Sequence, residues 1–412
     1  MSRRATVRRA PLWLAFAIAH AVTAAAGWIY PSQPMGDVVL VYEPWATAAL
    51  SGGDIVGVTQ TWVYPQLALL PMLAAKLLSL PLLPIMGASG SYLVAWAVMV
   101  TVLDAVAFGA LVGRTAAGSR RMAAWFWCAA LLLLGPIGVY RIDAVTVPLA
   151  VLGGLWLARR PAVAAALLTV AAWMKIWPGA LFAAAVVSSR HRGRMLLAAA
   201  AVTALVVTAL WALGAREQIL GFLTEQAGRG LQIEAVAATP FLWVAVAGGA
   251  RIEYSFDILT FQIAADGADA VSAALTSLML AAVVVIGALG VVKARRGAEL
   301  PRLFPALALS LVVALIVFNK VGSPQFQAWL IAPLLLWILF DPGRSRVPAA
   351  LVLVLCALTC LVYPLTYDAL LRAEPLPVVL LSLRNALLLV LLAVGVLAVV
   401  RVPIPFTPRT RK

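Results

Sequence analysis

Two acidic residues, Asp37 and Glu43, stand close together in the stretch GDVVLVYEPW (Gly36–Trp45). They follow the apolar run Leu12–Ile29, although the whole chain has only 16 acidic residues among 412. A positioned carboxylate can take a proton from an attacking hydroxyl group. The two acids are therefore either solvated loop residues or the beginning of a catalytic site.

The histidines and cysteines of the chain offer no alternative chemistry. His20 lies within the first apolar run, and His191 lies within a basic cluster. Cys128, Cys356 and Cys360 all lie in apolar runs, without the spacing of a disulfide framework or a zinc site. The sequence thus indicates no metal and no cofactor, and a carboxylate would have to carry the proton.

Three basic residues stand where short apolar runs end. Arg141 and Asp143 fall in YRID, Lys175 in MKIWP, and Lys320 and Gln325 in FNKVGSPQFQAW. Charged groups at membrane depth are costly and are functional candidates by default, and desolvated cations bind phosphate oxygens strongly. The alternatives are an Arg141–Asp143 ion pair that holds a turn, and lysines that extend toward the membrane surface.

The composition indicates a membrane protein. The mean hydropathy is +1.01 and only 11% of the residues are charged, which excludes a soluble globular protein. Continuous apolar runs of about 18 or more residues are typical of spanning helices, and they exclude a transmembrane β-barrel. The predicted fold class is all-α, a polytopic bundle of about twelve spans, forming a single membrane-embedded domain over residues 1–412.

The net charge of +15 is distributed in clusters of basic residues between the apolar runs. The positive-inside rule places these clusters in the cytoplasm, so the charge sets orientation and does not indicate a nucleic-acid partner. Both basic termini are then cytoplasmic, and most acidic residues fall on the outer face of the plasma membrane. The predicted spans are 12–30, 91–113, 123–140, 144–158, 162–175, 178–189, 194–213, 270–292, 303–318, 326–340, 347–364 and 377–400.

Two large outer loops are predicted, 31–90 and 214–269. Residues 67–84 are apolar but interrupted by prolines, so we predict a re-entrant or interfacial helix there. If that segment crossed fully, both termini could not lie inside unless another pair of spans merged. The spans at 144–158, 162–175 and 178–189 cover only about 18–24 Å of a core about 30 Å thick. Short helices under large loops predict a cleft that opens outward.

Five stretches of the chain, in order, resemble the polyprenol-phosphate-sugar-dependent glycosyltransferases of family 87 in the GT-C superfamily, which include actinobacterial α-mannosyltransferases. They are GDVVLVYEPWATAALSGGD, WVYPQLALLP, YRIDAVTVPLAVLGGLWLARRPAVAAALLTVAAWMKIWPGALF, RGLQIEAVAATP and NKVGSPQFQAWLIAP, and they cover residues from about 30 to 335. The commoner family motif has a second proline in place of Gln66.

The resemblance implies a GT-C bundle and an inverting transfer in which Asp37 is the general base, with Glu43 as the fallback. It implies a donor phosphate held by cations, for which Arg141, Lys175 and Lys320 are the candidates. The remaining residues expected to bind substrate are Tyr64, Gln66, Asp143, Gln232, Glu234 and Gln325.

The expected reaction moves mannose from polyprenyl phosphate to a lipid-anchored glycan, of the phosphatidylinositol mannoside or lipomannan type, on the outer, periplasmic face. Arabinofuranose from decaprenyl phosphate is the second choice of sugar. A transporter of lipids or small molecules is the alternative class, because short, broken helices with buried lysines also occur in transporters. The expected partners are therefore the donor, the acceptor and membrane lipids.

Overall fold

The computed structural model describes residues 9–114, 118–225, 229–255 and 260–404. The predicted all-α class is confirmed, since 77% of the structure is helical. The sheet of the described part is the antiparallel hairpin of β1 and β2, which pairs Arg251 with Ala264 and Ser255 with Thr260. The basic residues predicted at both termini within 1–8 and 405–412 lie outside the described residues.

The elements follow one another as a chain of helices interrupted once by the hairpin. They are α1 (Ala10–Ile29), α2 (Glu43–Leu50), α3 (Leu69–Ser79), α4 (Leu83–Val112), α5 (Gly118–Leu134), α6 (Asp143–Trp156), α7 (Pro161–Ala172), α8 (Pro178–Ser188), α9 (Arg192–Ala212), α10 (Gly221–Glu225), α11 (Thr239–Val246), β1 (Arg251–Ser255), β2 (Thr260–Ala264), α12 (Ala268–Arg295), α13 (Leu300–Val317), α14 (Ile331–Phe340), α15 (Arg346–Cys360), α16 (Tyr367–Leu371) and α17 (Pro375–Val400). Short 3-10 or π segments connect several of them, at Val38–Tyr42, Gln66–Ala68, Leu80–Leu82, Gly135–Gly138, Arg216–Leu220, Val236–Ala238, Pro324–Leu330 and Leu361–Leu365.

Eight stretches among the described residues are long and apolar enough to cross a membrane, so the chain has the character of a multi-pass membrane protein. They are Ala10–Ile29, Gln66–Val112, Gly118–Gly138, Arg192–Ala212, Ala268–Arg295, Leu300–Val317, Arg346–Leu365 and Pro375–Val400. The predicted spans at 144–158, 162–175, 178–189 and 326–340 are also helical, but these helices are shorter.

The segment 67–84, predicted as re-entrant or interfacial, is helix α3 folded back against α4. The Tyr92 hydroxyl donates a hydrogen bond of 3.1 Å to the Met72 carbonyl. In one straight helix these residues would stand about 30 Å apart, so the chain reverses between them. Gly87, with a φ of +67°, interrupts the helix at this turn, in a conformation that favours glycine.

The core is centred on α13, which is buried over most of its length and packs against α8, α12, α14 and α17. Helices α9 and α12 are instead mostly exposed and carry outward-facing Leu and Val side chains. Apolar side chains on an exposed helix surface are typical of contact with lipid. The helices therefore form a bundle with a buried centre and an apolar periphery.

The two segments predicted as large loops contain secondary structure of their own. Residues 31–90 carry α2 and α3, while 214–269 carry α10, α11 and the hairpin. A second, smaller apolar core joins the latter segment to the chain around α16 and the start of α17, through Ile233, Leu242, Ile263, Leu370 and Leu381. Residues 226–228 and 256–259 of this predicted loop lie outside the described part.

Candidate functional site

A cavity of about 350 Å³ lies where α10, α12 and α13 meet four connecting segments. The charged residues at its wall are all cations, Lys175, Arg229 and Lys320. Most of the other lining side chains are apolar, among them Met279 of α12 and Leu315 of α13. In the described residues, no group of three or more His, Cys, Asp or Glu side chains could hold a metal ion. The cavity therefore suits an anion that carries an apolar chain.

Lys175 stands in the break between α7 and α8, which Pro178 enforces because it begins the second helix. Its Nζ lies 4.4 Å from the centre of the Tyr64 ring and 3.7 Å from Oδ2 of Asp143. Asp143 is fully buried, and its Oδ1 accepts a 2.6 Å hydrogen bond from Trp329 Nε1. Asp143, predicted to bind substrate, is not among the residues that line the cavity, and its contact with Lys175 places it beside that lysine.

Lys320 and Arg229 supply the other two charges of the cavity. Lys320 is 8% exposed, and burial together with the nearby Arg229 guanidinium lowers the pKa of its ammonium group. The Nε of Arg229 is buried and has no hydrogen-bond partner. Two like charges close together repel, so an anion bound between them would stabilise both. The sequence prediction omitted Arg229, although it begins the stretch RGLQIE.

Arg141 is the centre of a buried cluster that holds Asp37. Its Nε lies 3.3 Å from Oδ2 of Asp37 and donates a 3.1 Å hydrogen bond to Oε1 of Gln325. Its other nitrogens donate to the Pro34 carbonyl at 2.6 Å and to the Tyr363 hydroxyl at 3.1 Å. Burial lowers the pKa of Arg141, but the Asp37 carboxylate and the Tyr363 and Tyr42 hydroxyls together raise it by more, so the guanidinium stays charged.

This placement differs from the predicted role of Arg141 as a phosphate ligand. Arg141 is 3% exposed and does not line the cavity, and most of its N–H groups already have acceptors. The side chain of Asp37, by contrast, is 39% exposed. The cluster therefore fixes a carboxylate at the protein surface through a buried cation. Gln325, predicted to bind substrate, connects the cluster to the cavity wall.

Tyr42 links Asp37 to the cavity and was not predicted from the sequence. It is fully buried, and its hydroxyl accepts a 3.3 Å hydrogen bond from the backbone N–H of Ile142. Burial raises its pKa most, and the neighbouring Tyr64 hydroxyl and Asp37 carboxylate raise it further. Tyr42 interacts electrostatically with Tyr64, which lines the cavity.

Two other predicted residues have partners away from the cavity wall. Glu43, the fallback base, is 8% exposed and forms a 3.0 Å ion pair with Lys76 of α3. Gln66 donates hydrogen bonds to the carbonyls of Gln218 and Ile219, at 2.6 and 3.2 Å. Both side chains therefore join segments of the fold to one another, and neither is among the residues that line the cavity.

Glu234 and Gln232 form hydrogen bonds that connect the segment 229–235 to α17 and to the connection that carries Lys320. Glu234 accepts a 2.7 Å hydrogen bond from Arg384 of α17, and both side chains are 1% exposed. Burial raises the pKa of Glu234, whereas Arg384 opposes that rise. The Oε1 of Gln232 accepts a 2.7 Å hydrogen bond from the Gly322 N–H, and the N–H of Gln232 donates to the Lys320 carbonyl. Gln232 thereby fixes the backbone that carries Lys320.

Replacing Gly322 with alanine should disturb this arrangement. A Cβ at Gly322 would overlap the backbone of Glu234 and Ala235, which cannot move aside like a flexible side chain. We expect a destabilisation of about 1–3 kcal/mol, typical of overpacking, measured by thermal unfolding in detergent. Gly343→Ala is the control, because nothing lies near its Cβ position. Equal stability of the two variants would show that the two segments are not packed as described.

No protein-family model matches the chain, and no similar protein was found among the curated proteins or the solved structures.

Proposed function

We propose that the chain is a membrane-embedded inverting glycosyltransferase that uses a polyprenyl-phosphate sugar. The observation that carries this proposal is the cavity in which Lys175, Arg229 and Lys320 face an apolar wall. Cations bind the phosphate of such a donor, and apolar helices accept its chain. The exposed Asp37 carboxylate belongs to the adjoining Arg141 cluster, which Tyr42, Tyr64 and Gln325 connect to the cavity.

The proposed arrangement is a GT-C bundle of about twelve spans, in which the four shorter helices also cross or line a cleft. The described basic clusters fall in alternate connections, around Arg120, Arg159, Arg192, Arg296 and Arg344. The positive-inside rule places these connections in the cytoplasm. The residues of the candidate site come from the remaining connections, so the reaction is proposed for the outer face of the plasma membrane, with both termini cytoplasmic.

In the proposed reaction, the acceptor hydroxyl oxygen attacks the anomeric carbon of the donor sugar. Asp37 takes the hydroxyl proton, and the bond between the anomeric carbon and the phosphate oxygen breaks. The electron pair of that bond leaves with the polyprenyl phosphate, whose growing negative charge is stabilised by Lys320, Arg229 and Lys175. Arg141 becomes a positioning residue in this scheme, since it holds the Asp37 carboxylate and lies outside the cavity wall.

The proposed sugar is mannose and the proposed acceptor a lipid-anchored glycan, with arabinofuranose as the second choice. The test offers purified protein in nanodiscs polyprenyl-phosphate mannose and a mannosylated lipid acceptor, and measures the product by mass spectrometry. The expected result is an acceptor that is one hexose heavier. Transfer only from decaprenyl-phosphate arabinose would change the sugar. Transfer from neither donor would overturn the proposal.

A transporter remains the second candidate, because the same cavity of cations and apolar walls could bind a lipid phosphate that is moved without reaction. Reconstituted vesicles distinguish the two. Movement of a labelled polyprenyl phosphate across the vesicle membrane, without sugar transfer, would favour transport.

Donor binding should depend on the charges at the cavity. Lys320→Gln and Arg229→Gln are each expected to weaken donor binding about tenfold or more, since each removes a charge-assisted hydrogen bond. Arg372→Gln, at an exposed position outside the cavity, is the control.

Because the pKa of Lys320 is lowered, wild-type affinity for the donor should fall as alkaline pH removes the charge of Lys320, and Lys320→Arg should flatten this fall. Titration of the donor by native mass spectrometry measures both effects. A donor affinity unchanged in both Lys320→Gln and Arg229→Gln would exclude a phosphate site in this cavity.

A further inference from the structure

A second and larger cleft, of about 690 Å³, lies on the hairpin of β1 and β2 and extends to the start of α12. Its wall is rich in hydrogen-bonding side chains, including Glu253, Gln262, Asp266 and Asp269. Tyr254 also lines the cleft and is 39% exposed. The proposed reaction uses none of these residues.

The side chains of the cleft suit a neutral ligand with many hydroxyl groups. Three carboxylates and one guanidinium, that of Arg251, give the wall a net negative charge, which disfavours a phosphate or another anion. These carboxylates do not converge on a metal position, since no such group occurs in the described residues. Carboxylate and amide groups accept or donate hydrogen bonds to hydroxyls, and an exposed tyrosine ring packs against the apolar face of a sugar.

A row of aromatic side chains connects the cleft to the Asp37 cluster. The Tyr254 ring lies 4.9 Å from that of Phe261, which lies 6.0 Å from that of Tyr367. Tyr367 in turn lies 4.8 Å from Tyr363, whose ring and hydroxyl contact Arg141. Every ring of the row is partly exposed. The row therefore leads from the proposed base to Tyr254 at the edge of the cleft, on the face of the hairpin opposite Glu253 and Gln262.

Backbone hydrogen bonds join the hairpin to the segment 229–233 at the cavity. The N–H of Ile233 donates to the Phe261 carbonyl at 3.2 Å, and the N–H of Ile263 donates to the Leu231 carbonyl at 3.0 Å. β2 is thereby hydrogen-bonded to the segment that carries Arg229 and Gln232. The cleft and the cavity consequently belong to one hydrogen-bonded unit, in which the position of one is fixed relative to the other.

We propose that the cleft and the aromatic row bind the glycan of the acceptor, an inference that rests on the proposed glycosyltransferase function. The sugar that carries the attacking hydroxyl lies at Asp37, and the preceding sugars extend over Tyr363 and Tyr367 toward Tyr254. The acceptor is accordingly a neutral oligosaccharide of several sugars. An acceptor with a single sugar would reach Asp37 but leave the cleft empty.

The test titrates soluble α-linked mannose oligosaccharides of one to six sugars into the full chain in nanodiscs, by calorimetry. Affinity is expected to rise with length, by about tenfold between one and four sugars, as added rings and hydrogen bonds engage the cleft. Tyr254→Ala and Glu253→Gln should each remove most of this increase. Glu217→Gln, at an exposed acidic residue outside the cleft, should bind like wild type. An affinity independent of length, or unaffected by Tyr254→Ala, would overturn the inference.

A transfer assay separates this inference from the proposed function. Tyr254→Ala should raise KM for long acceptors about tenfold while leaving kcat and the reaction with a one-sugar acceptor unchanged. Transfer by wild type with no change in KM for the variant would overturn the glycan site alone. Length-dependent binding without transfer from either donor would support the glycan site and overturn the proposed reaction. Binding of arabinofuranose oligosaccharides in place of mannose oligosaccharides would support the site for a pentose acceptor.

Discussion

Asp37→Asn should abolish sugar transfer, with kcat lowered about 10²–10⁴-fold, the usual contribution of a general base. The amide nearly matches the carboxylate in shape and can still contact Arg141, but it cannot accept the proton of the attacking hydroxyl. Because the phosphate-binding cations lie elsewhere, donor affinity should stay close to that of wild type. Single-turnover measurements with bound donor separate the loss of chemistry from any loss of binding.

Asp54→Asn is the matched control for this experiment. Asp54 is an exposed acid of the same predicted outer loop, 31–90, and its carboxylate accepts a hydrogen bond from the Thr59 hydroxyl. This variant should transfer sugar at the wild-type rate. Transfer that survived in Asp37→Asn would move the base to Glu43 or Asp143. Either would be a surprising base, since Lys76 pairs with Glu43, and Asp143 is fully buried.

Arg384→Ala should destabilise the fold by about 3–5 kcal/mol, because it leaves the Glu234 carboxylate buried without its counter-charge. Arg384 also donates to the Glu234 carbonyl at 2.6 Å and to the Asn385 side chain, so several acceptors lose their partner together. Denaturation of the purified protein in mixed micelles, followed by tryptophan fluorescence, measures the change. The variant should also bind donor more weakly, because the Glu234 segment holds the Lys320 backbone.

Arg372→Ala provides the comparison with an exposed ion pair. Its ion pair with Glu374 is 2.8 Å long but largely exposed, so its loss should change stability by about 1 kcal/mol or less. Should Arg384→Ala fail to fold, the double variant Glu234→Leu, Arg384→Met removes both charges and is expected to recover most of the stability. Equal stability of Arg384→Ala and Arg372→Ala would contradict a buried pair.

The helical architecture was largely predictable, since each predicted span coincides with a helix. Apolar runs and intervening basic clusters are local properties, and a membrane environment requires the backbone of such a run to satisfy its own hydrogen bonds. The break before Pro178 was predictable for the same reason, because proline cannot continue a helix. The reversal of the chain between α3 and α4 could be predicted only in part from the sequence. It depends on the tertiary contact between Tyr92 and Met72.

The sequence predicted several residues of the candidate site, but it did not predict which side chains contact one another. Asp37, Lys175 and Lys320 could be selected because charges are rare in this chain and stand next to apolar runs. The sequence did not indicate that Arg141 holds Asp37 and Gln325, nor that Lys76 pairs with Glu43. Such partners are decided by how the helices pack, because no local spacing relates them.

The sequence by itself determined that this is a helical membrane protein whose rare charged residues gather in particular connections. Both features follow from the hydropathy and charge of residues that are close together in the sequence. The tertiary structure alone brought Arg229 beside Lys320, Tyr42 beside Tyr64, and Arg384 against Glu234. Glu234 and Arg384 are 150 residues apart, and the Arg141–Gln325 pair is separated by 184. Only packing of the bundle creates such contacts, and their energies depend on the burial that it produces.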